Sequence, residues 1–265
     1  MLRDITIGQY YPTNSSIHRL DPRVKILITF AYITALFIVK HFIAYSFIVA
    51  FLAVAVLLSK VPFKYMVKGL KPLFLIILFT FSINMFMTKG EVIYQIGPLD
   101  ITKEGVMQAL FMGTRLILLI VGTSLLTLTT SPIQLTDGIE KLLNPFKKMG
   151  VPAHELAMMM TIALRFIPTL LEETDKIMKA QMARGADFES GNIVNRAKSL
   201  VPLLVPLFIS AFRRADELAM AMEARCYRGG ENRTRMKELS LHGRDFVASI
   251  ITLGVLIAVI MDRLM

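Results

Sequence analysis

The fold of this chain is decided by two stretches of sequence, IPTLLEETDKIMKAQMARG at residues 167–185 and FISAFRRADELAMAMEARC at residues 208–226. They align with an offset of 41, and their matching positions recur at intervals of 4, 3, 4, 3 and 4 residues. That spacing is typical of one face of a helix. We therefore predict two long amphipathic helices that cross and bury these faces. The predicted seam positions are Ile167, Leu171, Thr174, Met178, Gln181 and Gly185 in the first stretch and Phe208, Phe212, Ala215, Ala219, Met222 and Cys226 in the second.

Opposite charges occupy equivalent places in the two stretches. Glu172 and Glu173 align with Arg213 and Arg214. Pairs of this kind near the crossing would fix the partner and the angle of each helix. The alternative is two unrelated helices lying on the bilayer, but a basic membrane-surface helix has few acidic residues and here both signs are evenly mixed. For the two glutamates we favour a salt-bridge role over catalysis.

Both stretches end in the same short form, in which an arginine lies between small residues. Small neighbours let a helix end approach another protein closely, and a guanidinium presents five donors in a planar fork that suits a carboxylate. A single arginine there would be explained by the helix dipole. Two at matching positions indicate a surface for a partner. The residues are Ala183, Arg184 and Gly185 in the first stretch and Ala224, Arg225 and Cys226 in the second.

The composition around the repeat is that of a membrane protein. Of 265 residues, 54% are apolar and 19% charged, and the mean hydropathy is +0.57, whereas soluble domains carry about 25% charged residues. The sequence predicts an all-α membrane protein with about five transmembrane helices and a cytoplasmic domain of crossed amphipathic helices. Residues 1–130 hold the first four spans (24–39, 42–58, 72–87 and 106–129), residues 131–245 the cytoplasmic domain with long helices at about 153–186 and 200–227, and residues 246–265 the last span (246–261).

Basic residues predict the orientation in the membrane. They gather before the first span and between the second and third, which places the N-terminus in the cytoplasm and the C-terminus outside. Asp21 and Pro22 open the first span as N-cap and first helical residue. The formal net charge of +10 fits cytoplasmic loops and anionic lipid, so we expect no nucleic-acid partner.

Motifs for catalysis or cofactor binding are absent from the sequence. It has no G-x-x-x-x-G-K-[ST], H-E-x-x-H or G-x-S-x-G motif. It has one cysteine, and its four histidines are not spaced as metal ligands. We predict no metal site, no cofactor and no enzymatic activity in this chain. A membrane enzyme with its site among the cytoplasmic helices stays an alternative, although it lacks the acid and metal constellations that such enzymes need.

Arg115 and Arg165 lie within apolar runs, where a charge costs about 2.5–3.5 kcal/mol on insertion scales and is a functional candidate by default. The structural alternative for Arg115 is snorkelling or a bond to a carbonyl. Arg165, three residues before Pro168, would stabilise a kink at the carbonyl that the proline frees. A stand-alone secondary carrier would use both arginines as substrate sites and would transport without ATP.

Six segments together resemble the T component of energy-coupling factor (ECF) transporters, a family that includes the cobalt-transporter permease. The resemblance covers essentially the whole chain, and it is the order and spacing of the segments that is specific. The segments are HRLDPRVK at 18–25, TTSP at 129–132, LRFIP at 164–168, AQMARG at 180–185, AMEAR at 221–225 and RT at 233–234.

The resemblance implies a multi-pass scaffold in a prokaryotic cell membrane. Such a T component joins a membrane-embedded S component, which binds a vitamin or a metal ion, to two ABC-type ATPases that hold the ATP and Mg. Its two coupling helices cross, hold the S component on their apolar faces and dock their ends into the ATPases. Arg184 and Arg225 would be the docking arginines, with Cys226 standing where the motif often has glycine.

Overall fold

The chain is described here from a computed structural model that covers residues 9–96, 99–186, 188, 198–230 and 238–264. The described part is almost entirely helical, which confirms the predicted all-α class. One antiparallel hairpin, β1 (Val92–Ile96) and β2 (Leu99–Thr102), was not predicted. The helices are α1 (Pro22–Ile38), α2 (Phe42–Ser59), α3 (Phe63–Leu70), α4 (Phe74–Met87), α5 (Lys103–Thr129), α6 (Pro132–Leu143), α7 (Ala153–Ala183), α8 (Val201–Ala224) and α9 (Gly243–Leu264).

Two compact units make up the chain. One lies within Gly8–Gly138 and Glu238–Met265, and the other within Ile139–Lys237. The first contains helices α1 to α5 and α9, and the second contains α7 and α8. The late-loop resemblance at residues 233–234 lies outside the described residues.

Five helical stretches of the described chain are long and apolar enough to cross a membrane, by length and composition. Four of them coincide with predicted spans. The fifth is α7, which was predicted as an amphipathic helix outside the membrane, whereas the predicted first span corresponds to α1 and is only 17 residues long. The five stretches are Phe42–Ser59, Phe63–Met87, Lys103–Thr129, Ala153–Ala183 and Gly243–Arg263.

At one end of the first unit, α1 and α9 begin where α5 ends. The Asp245 carboxylate, in the first turn of α9, accepts a bond from the backbone N–H of Asp21 at 2.8 Å. The ammonium of Lys25 donates to the carbonyl of Thr129, the last residue of α5, at 2.9 Å. Helices α1 and α9 therefore run in one direction and α5 in the other.

At the opposite end of this unit, α5 contacts two other helices. The end of α1 contacts α5, and the end of α4 contacts the start of α5. Arg115 of α5 donates to the carbonyl of Val39 at 3.1 Å. The hydroxyl of Thr102, which caps α5, donates to the carbonyl of Thr88 at 2.8 Å. The successive helices α1, α2, α4, α5 and α9 thus alternate in direction, as successive crossings of a bilayer require.

The core of the first unit depends on a close approach between α1 and α5. Leu36, Ile48 and Leu128 are fully or almost fully buried there. The hydroxyl of Tyr32 donates to the carbonyl of Leu118 at 2.7 Å. A Cβ at Gly122 would lie 2.3 Å from the Tyr32 ring, so only glycine fits at that position.

Candidate functional site

Helices α7 and α8 pack against each other in opposite directions. Glu173 of α7 pairs with Arg214 of α8, with 3.1 Å between Oε2 and Nη2. Farther along, the side-chain amide of Gln181 donates to the carbonyl of Pro202 at 3.3 Å. The second contact is therefore nearer the C-terminus of α7 and nearer the N-terminus of α8 than the first, which makes the pair antiparallel. We call α7 and α8 the helix pair.

The centre of the helix pair brings equivalent residues of the repeat together. Glu173 and Arg214 differ by the repeat offset of 41. The second oxygen of Glu173, Oε1, accepts a bond from the Ser210 hydroxyl, and Arg214 contacts the same carboxylate through Nε as well. Because equivalent positions meet at the crossing, the two halves of the pair are related approximately as by a twofold axis.

Of the two predicted charge pairs, only the one between Glu173 and Arg214 forms. Glu172 and Arg213 are exposed, and neither has an ion pair with any residue that the structure describes. Adjacent residues of a helix point about 100° apart, so only one of each doublet can face the other helix. The prediction of opposed charges therefore needs this correction.

The apolar contact between the helices includes the later part of the predicted α8 seam but is displaced from the predicted seam on α7. A cavity of about 300 Å³ between α7 and α8 is lined by Phe166 and Leu170 of α7 and by α8 residues that include the predicted Ala215, Ala219 and Met222. The predicted α7 positions from Ile167 to Gln181 are half-buried beside it.

On α8 the first two predicted seam residues lie on the open face instead of against α7. Phe208 and Phe212 are 65% and 57% exposed, and their rings contact each other at 4.6 Å between centroids. Ser210, Ala211 and Arg214 face α7 in their place. Helical spacing therefore predicts the α8 side of the contact correctly after Arg214 and incorrectly before it.

Both helices end in the same hydrogen-bonded turn. At the end of α7, the N–H of Gly185 bonds to the carbonyl of Met182 and that of Ala186 to the carbonyl of Gln181, both at 3.0 Å. This pattern, in which the residue after the cap has a positive φ, is the Schellman motif. Arg184 is the C-cap, and Gly185 has a φ of 89°.

The end of α8 repeats this geometry with a different residue at the positive-φ position. The N–H of Cys226 bonds to the carbonyl of Glu223 at 2.9 Å, and that of Tyr227 to the carbonyl of Met222 at 3.0 Å. Arg225 is the C-cap and Cys226 has a φ of 54°. Residues 183–185 and 224–226, here called the two arginine ends, therefore share one backbone conformation.

Each arginine end is open to a partner. Arg184, Gly185, Arg225 and Cys226 are all exposed. Neither guanidinium forms an ion pair within the described parts of the chain. Because the helix pair is antiparallel, the two ends lie at its opposite extremities, separated by up to about 35 Å along the axis at 1.5 Å per residue.

His154 was not predicted as a site residue, although it holds the end of α8 in place. Its Nδ1 lies 3.0 Å from a carboxylate oxygen of Glu140, and its Nε2 lies 3.1 Å from the Tyr227 hydroxyl. Tyr227 also supplies the last backbone bond of the turn at Met222. The sequence carries no signal for this contact, because the histidine and the tyrosine are 73 residues apart.

Arg115 has structural partners, as one of the sequence alternatives expected. Besides its bond to the Val39 carbonyl, its guanidinium lies over the rings of Phe37 and Phe111 at 5.8 and 5.0 Å from their centroids. Its hydrogen bond therefore caps the C-terminal end of α1, and its guanidinium makes cation–π contacts with the two rings.

Arg165 does not have the predicted role at the proline kink. Its side chain is exposed, and no hydrogen bond joins it to another described residue. Helix α7 nevertheless continues through Pro168 without a break.

A polar cluster around the start of α1 holds residues that sequence reasoning missed. Asp245 is 2% exposed, and its two oxygens accept backbone N–H bonds from Asp21 and His242. Asp21 caps α1, as predicted, and pairs with Arg23 at 2.8 Å. Burial by itself would raise the pKa of Asp21, but hydrogen bonds and charge from Arg23 outweigh it and hold that pKa below its ordinary value.

Both ring nitrogens of His18 have hydrogen-bond partners within this cluster. Its Nε2–H donates to the Tyr11 carbonyl at 3.0 Å, and its Nδ1 accepts from the Ser15 hydroxyl at 2.7 Å. Burial lowers the pKa of His18 below its ordinary value.

Among the residues of this cluster that sequence reasoning missed, only Asp245 has a recognisable sequence signal. An acidic residue three positions after His242 fits a capping box at the start of α9.

No group of three or more histidine, cysteine or acidic residues that could hold a metal ion occurs in the described part of the chain.

The fold defines a multi-pass helical membrane protein with an antiparallel helix pair whose two arginine ends are exposed. The family described as CbiQ, cobalt transport protein, matches residues 13–236 of this chain. The chain belongs to that family.

Similar full-length proteins support the assignment. A protein of Thermosediminibacter oceani is 68% identical over 262 residues, covering 99% of each chain. A protein of Clostridium kluyveri is 64% identical over 266 residues, which is 100% of this chain and 98% of the relative. A Bacillus subtilis protein is 51% identical over 260 residues, 97% and 98% of the two chains. Each is called energy-coupling factor transporter transmembrane protein EcfT.

Proposed function

We propose that this chain is the transmembrane coupling subunit of an ECF-type ABC transporter. It links ATP hydrolysis by two cytoplasmic ATPase subunits to the uptake of a vitamin or metal ion, which a separate membrane-embedded S component binds. The chain itself is non-catalytic, and ATP and Mg are bound by the partner ATPases. The names of its relatives and its family membership support this role.

The observation that carries the proposal is the matched geometry of the two arginine ends. A subunit that serves two like ATPases needs two like surfaces, and Arg184 and Arg225 occupy the same C-cap position of the same Schellman motif. Each exposed guanidinium can form a bidentate bond with a carboxylate in an ATPase groove. The approximate twofold relation of the helix pair fits a pair of ATPases that move toward each other.

The helix pair would transmit the movement because its centre is fixed. When both ends are displaced together, the ion pair of Glu173 and Arg214 and the hydroxyl of Ser210 keep the crossing point in register. The motion then passes to whatever rests on the exposed apolar faces. Phe208 and Phe212 supply such a face on α8, which we propose as part of the contact with the S component.

Charge on the first unit supports an orientation with the N-terminus in the cytoplasm and the C-terminus outside. Arg23, Lys60 and Lys64 belong to the end at which α1 begins and α2 finishes. At the other end, Lys89 and Lys103 are accompanied by Glu91 and Glu104. The positive-inside rule assigns the first end to the cytoplasm.

A stand-alone carrier is not favoured, because Arg115 is already bonded to a carbonyl and stacked on two rings.

The test of the coupling role is reconstitution of the chain with its co-purifying partners from native membranes. We expect the double variant Arg184→Glu/Arg225→Glu to lose ATPase association and ATP-driven uptake, since both contacts become repulsive.

The matched control is Lys176→Glu/Lys179→Glu, which changes the charge of exposed α7 positions by the same amount and should retain both properties. Uptake by the pure chain without ATP, or undiminished ATPase association in the double arginine variant, would contradict the proposal.

A further inference from the structure

A large apolar cavity lies inside the first unit, on the side where α1 and α9 begin. Its volume is about 510 Å³, and α1, α2, α5 and α9 all contribute to its wall. Its lining includes Tyr32, Phe51 and Gly122 together with Ala55 and Ala248. This volume falls within the range of sites that hold a small organic molecule.

The cavity opens sideways between α2 and α9. Among its lining residues, Val54 and Leu58 of α2 are 55% and 51% exposed, and Val247 and Ile251 of α9 are 57% and 52% exposed. All four are apolar and belong to stretches that are long and apolar enough to cross a membrane. In a bilayer, an opening lined by these residues would face hydrocarbon rather than water.

Two cationic side chains line the same cavity. Lys25 is 5% exposed, and its ammonium donates to the carbonyls of His18 and Thr129. It has no ion pair with a carboxylate of the described chain. Arg244 lies in the first turn of α9, is exposed, and also has no ion pair there.

The acidic residues of this region do not neutralise these cations by direct contact. Asp21 is engaged by Arg23, and both oxygens of Asp245 accept backbone N–H bonds. An anion bound at the opening would meet Arg244 and the N-terminal end of α9, whose helix dipole adds to the attraction. The cavity therefore combines an apolar interior with a positively charged margin at the membrane surface.

We propose that this cavity binds one anionic phospholipid of the surrounding leaflet, with an acyl chain between α2 and α9 and the phosphate at Arg244. An apolar cavity left empty forfeits the dispersion contacts of its walls, and water gains little from a site with so few polar groups. An acyl chain fills it, and Arg244 at its margin selects an acidic headgroup. The site does not depend on ATPase docking, so it stands independently of the proposed coupling role.

The experiment is native mass spectrometry of the full-length chain, delipidated in detergent and titrated with phosphatidylglycerol or phosphatidylcholine. The wild-type chain should retain one phosphatidylglycerol more tightly than its other lipid adducts. Ala55→Phe fills the cavity and should abolish this retention. The matched control is Ala53→Phe, which lies on the same helix but is exposed and outside the lining, and it should retain the lipid.

Headgroup selection has its own matched pair. Arg244→Gln should reduce the preference for phosphatidylglycerol over phosphatidylcholine about tenfold, as expected for loss of one charge-assisted contact. Arg263→Gln, at the other end of α9, should leave the preference unchanged. Equal lipid retention by the wild type, Ala55→Phe and Ala53→Phe would overturn the proposal.

A second measurement needs no variant. Phosphatidylglycerol carrying a photoreactive diazirine on its acyl chain should cross-link in the wild-type chain to peptides of α2 and α9 that line the cavity. Cross-links spread evenly over the lipid-facing helices would overturn the proposal, because they indicate ordinary boundary lipid. So would cross-links from these peptides to a co-purifying membrane protein in place of the lipid, because they would show that a partner helix fills the opening.

Discussion

At the scale of single residues, the two arginine ends share a turn but differ in the residue that has the positive φ. Gly185 has a φ of 89° and Cys226 a φ of 54°. Glycine adopts this region without steric cost, whereas an L-residue with a Cβ pays about 1–2 kcal/mol. The end of α8 therefore carries strain that the end of α7 does not. The contacts of Tyr227 with His154 and Met158 help to hold it.

Replacing the cysteine tests this difference. Cys226→Gly should stabilise the turn at the end of α8 by about 1 kcal/mol, because the left-handed conformation no longer costs energy. Hydrogen–deuterium exchange of a peptide that covers residues 218–230 should slow by roughly fivefold. The opposite change, Gly185→Cys, has open space around its Cβ and should loosen the end of α7 by a similar amount. Unchanged exchange in both variants would contradict the argument.

At the scale of elements, the helix pair is positioned by a polar contact within an otherwise apolar interface. Ala211 and Ser210 allow close approach, and the charge pair of Glu173 and Arg214 selects the register. An antiparallel pair with apolar contacts alone could slide by a turn. The ion pair disfavours such a slide by about 1 kcal/mol, because a slide would separate the two charges.

A double-mutant cycle measures this contact. Glu173→Ala and Arg214→Ala should show a coupling energy of about 1 kcal/mol in the free energy of unfolding of the detergent-solubilised chain. The value is modest because Arg214 is 37% exposed, so solvent screens the pair. The same cycle with Glu172→Ala and Arg213→Ala should give a coupling near zero. Equal coupling in the two cycles would show that the register does not depend on the inner pair.

At the scale of the whole molecule, local signals predict elements and long-range contacts decide how they meet. The Asp21–Pro22 start of α1, four of the apolar stretches and the repeat of α7 and α8 can be predicted from sequence, because caps and helical spacing are local. The predicted Ala215, Ala219 and Met222 do line the contact with α7. The earlier part of that contact cannot be predicted, since Phe212 and Ala211 are neighbours and only the three-dimensional contact chooses between them. Asp245 and Asp21 are 224 residues apart, so no spacing rule connects them.

The contact between Asp245 and Asp21 joins the last helix to the first, and its removal is the sharpest test of how the first unit is assembled. Asp245→Asn keeps the shape but replaces one acceptor oxygen with an NH₂ group, which must then face a backbone N–H of Asp21 or His242. A buried donor without an acceptor costs about 1–3 kcal/mol, so the free energy of unfolding in detergent should fall by that amount. Exposed Glu91 in the same unit provides the control, because Glu91→Gln should change it by less than about 0.5 kcal/mol. Equal effects of the two substitutions would mean that the buried carboxylate does not anchor α9 to α1.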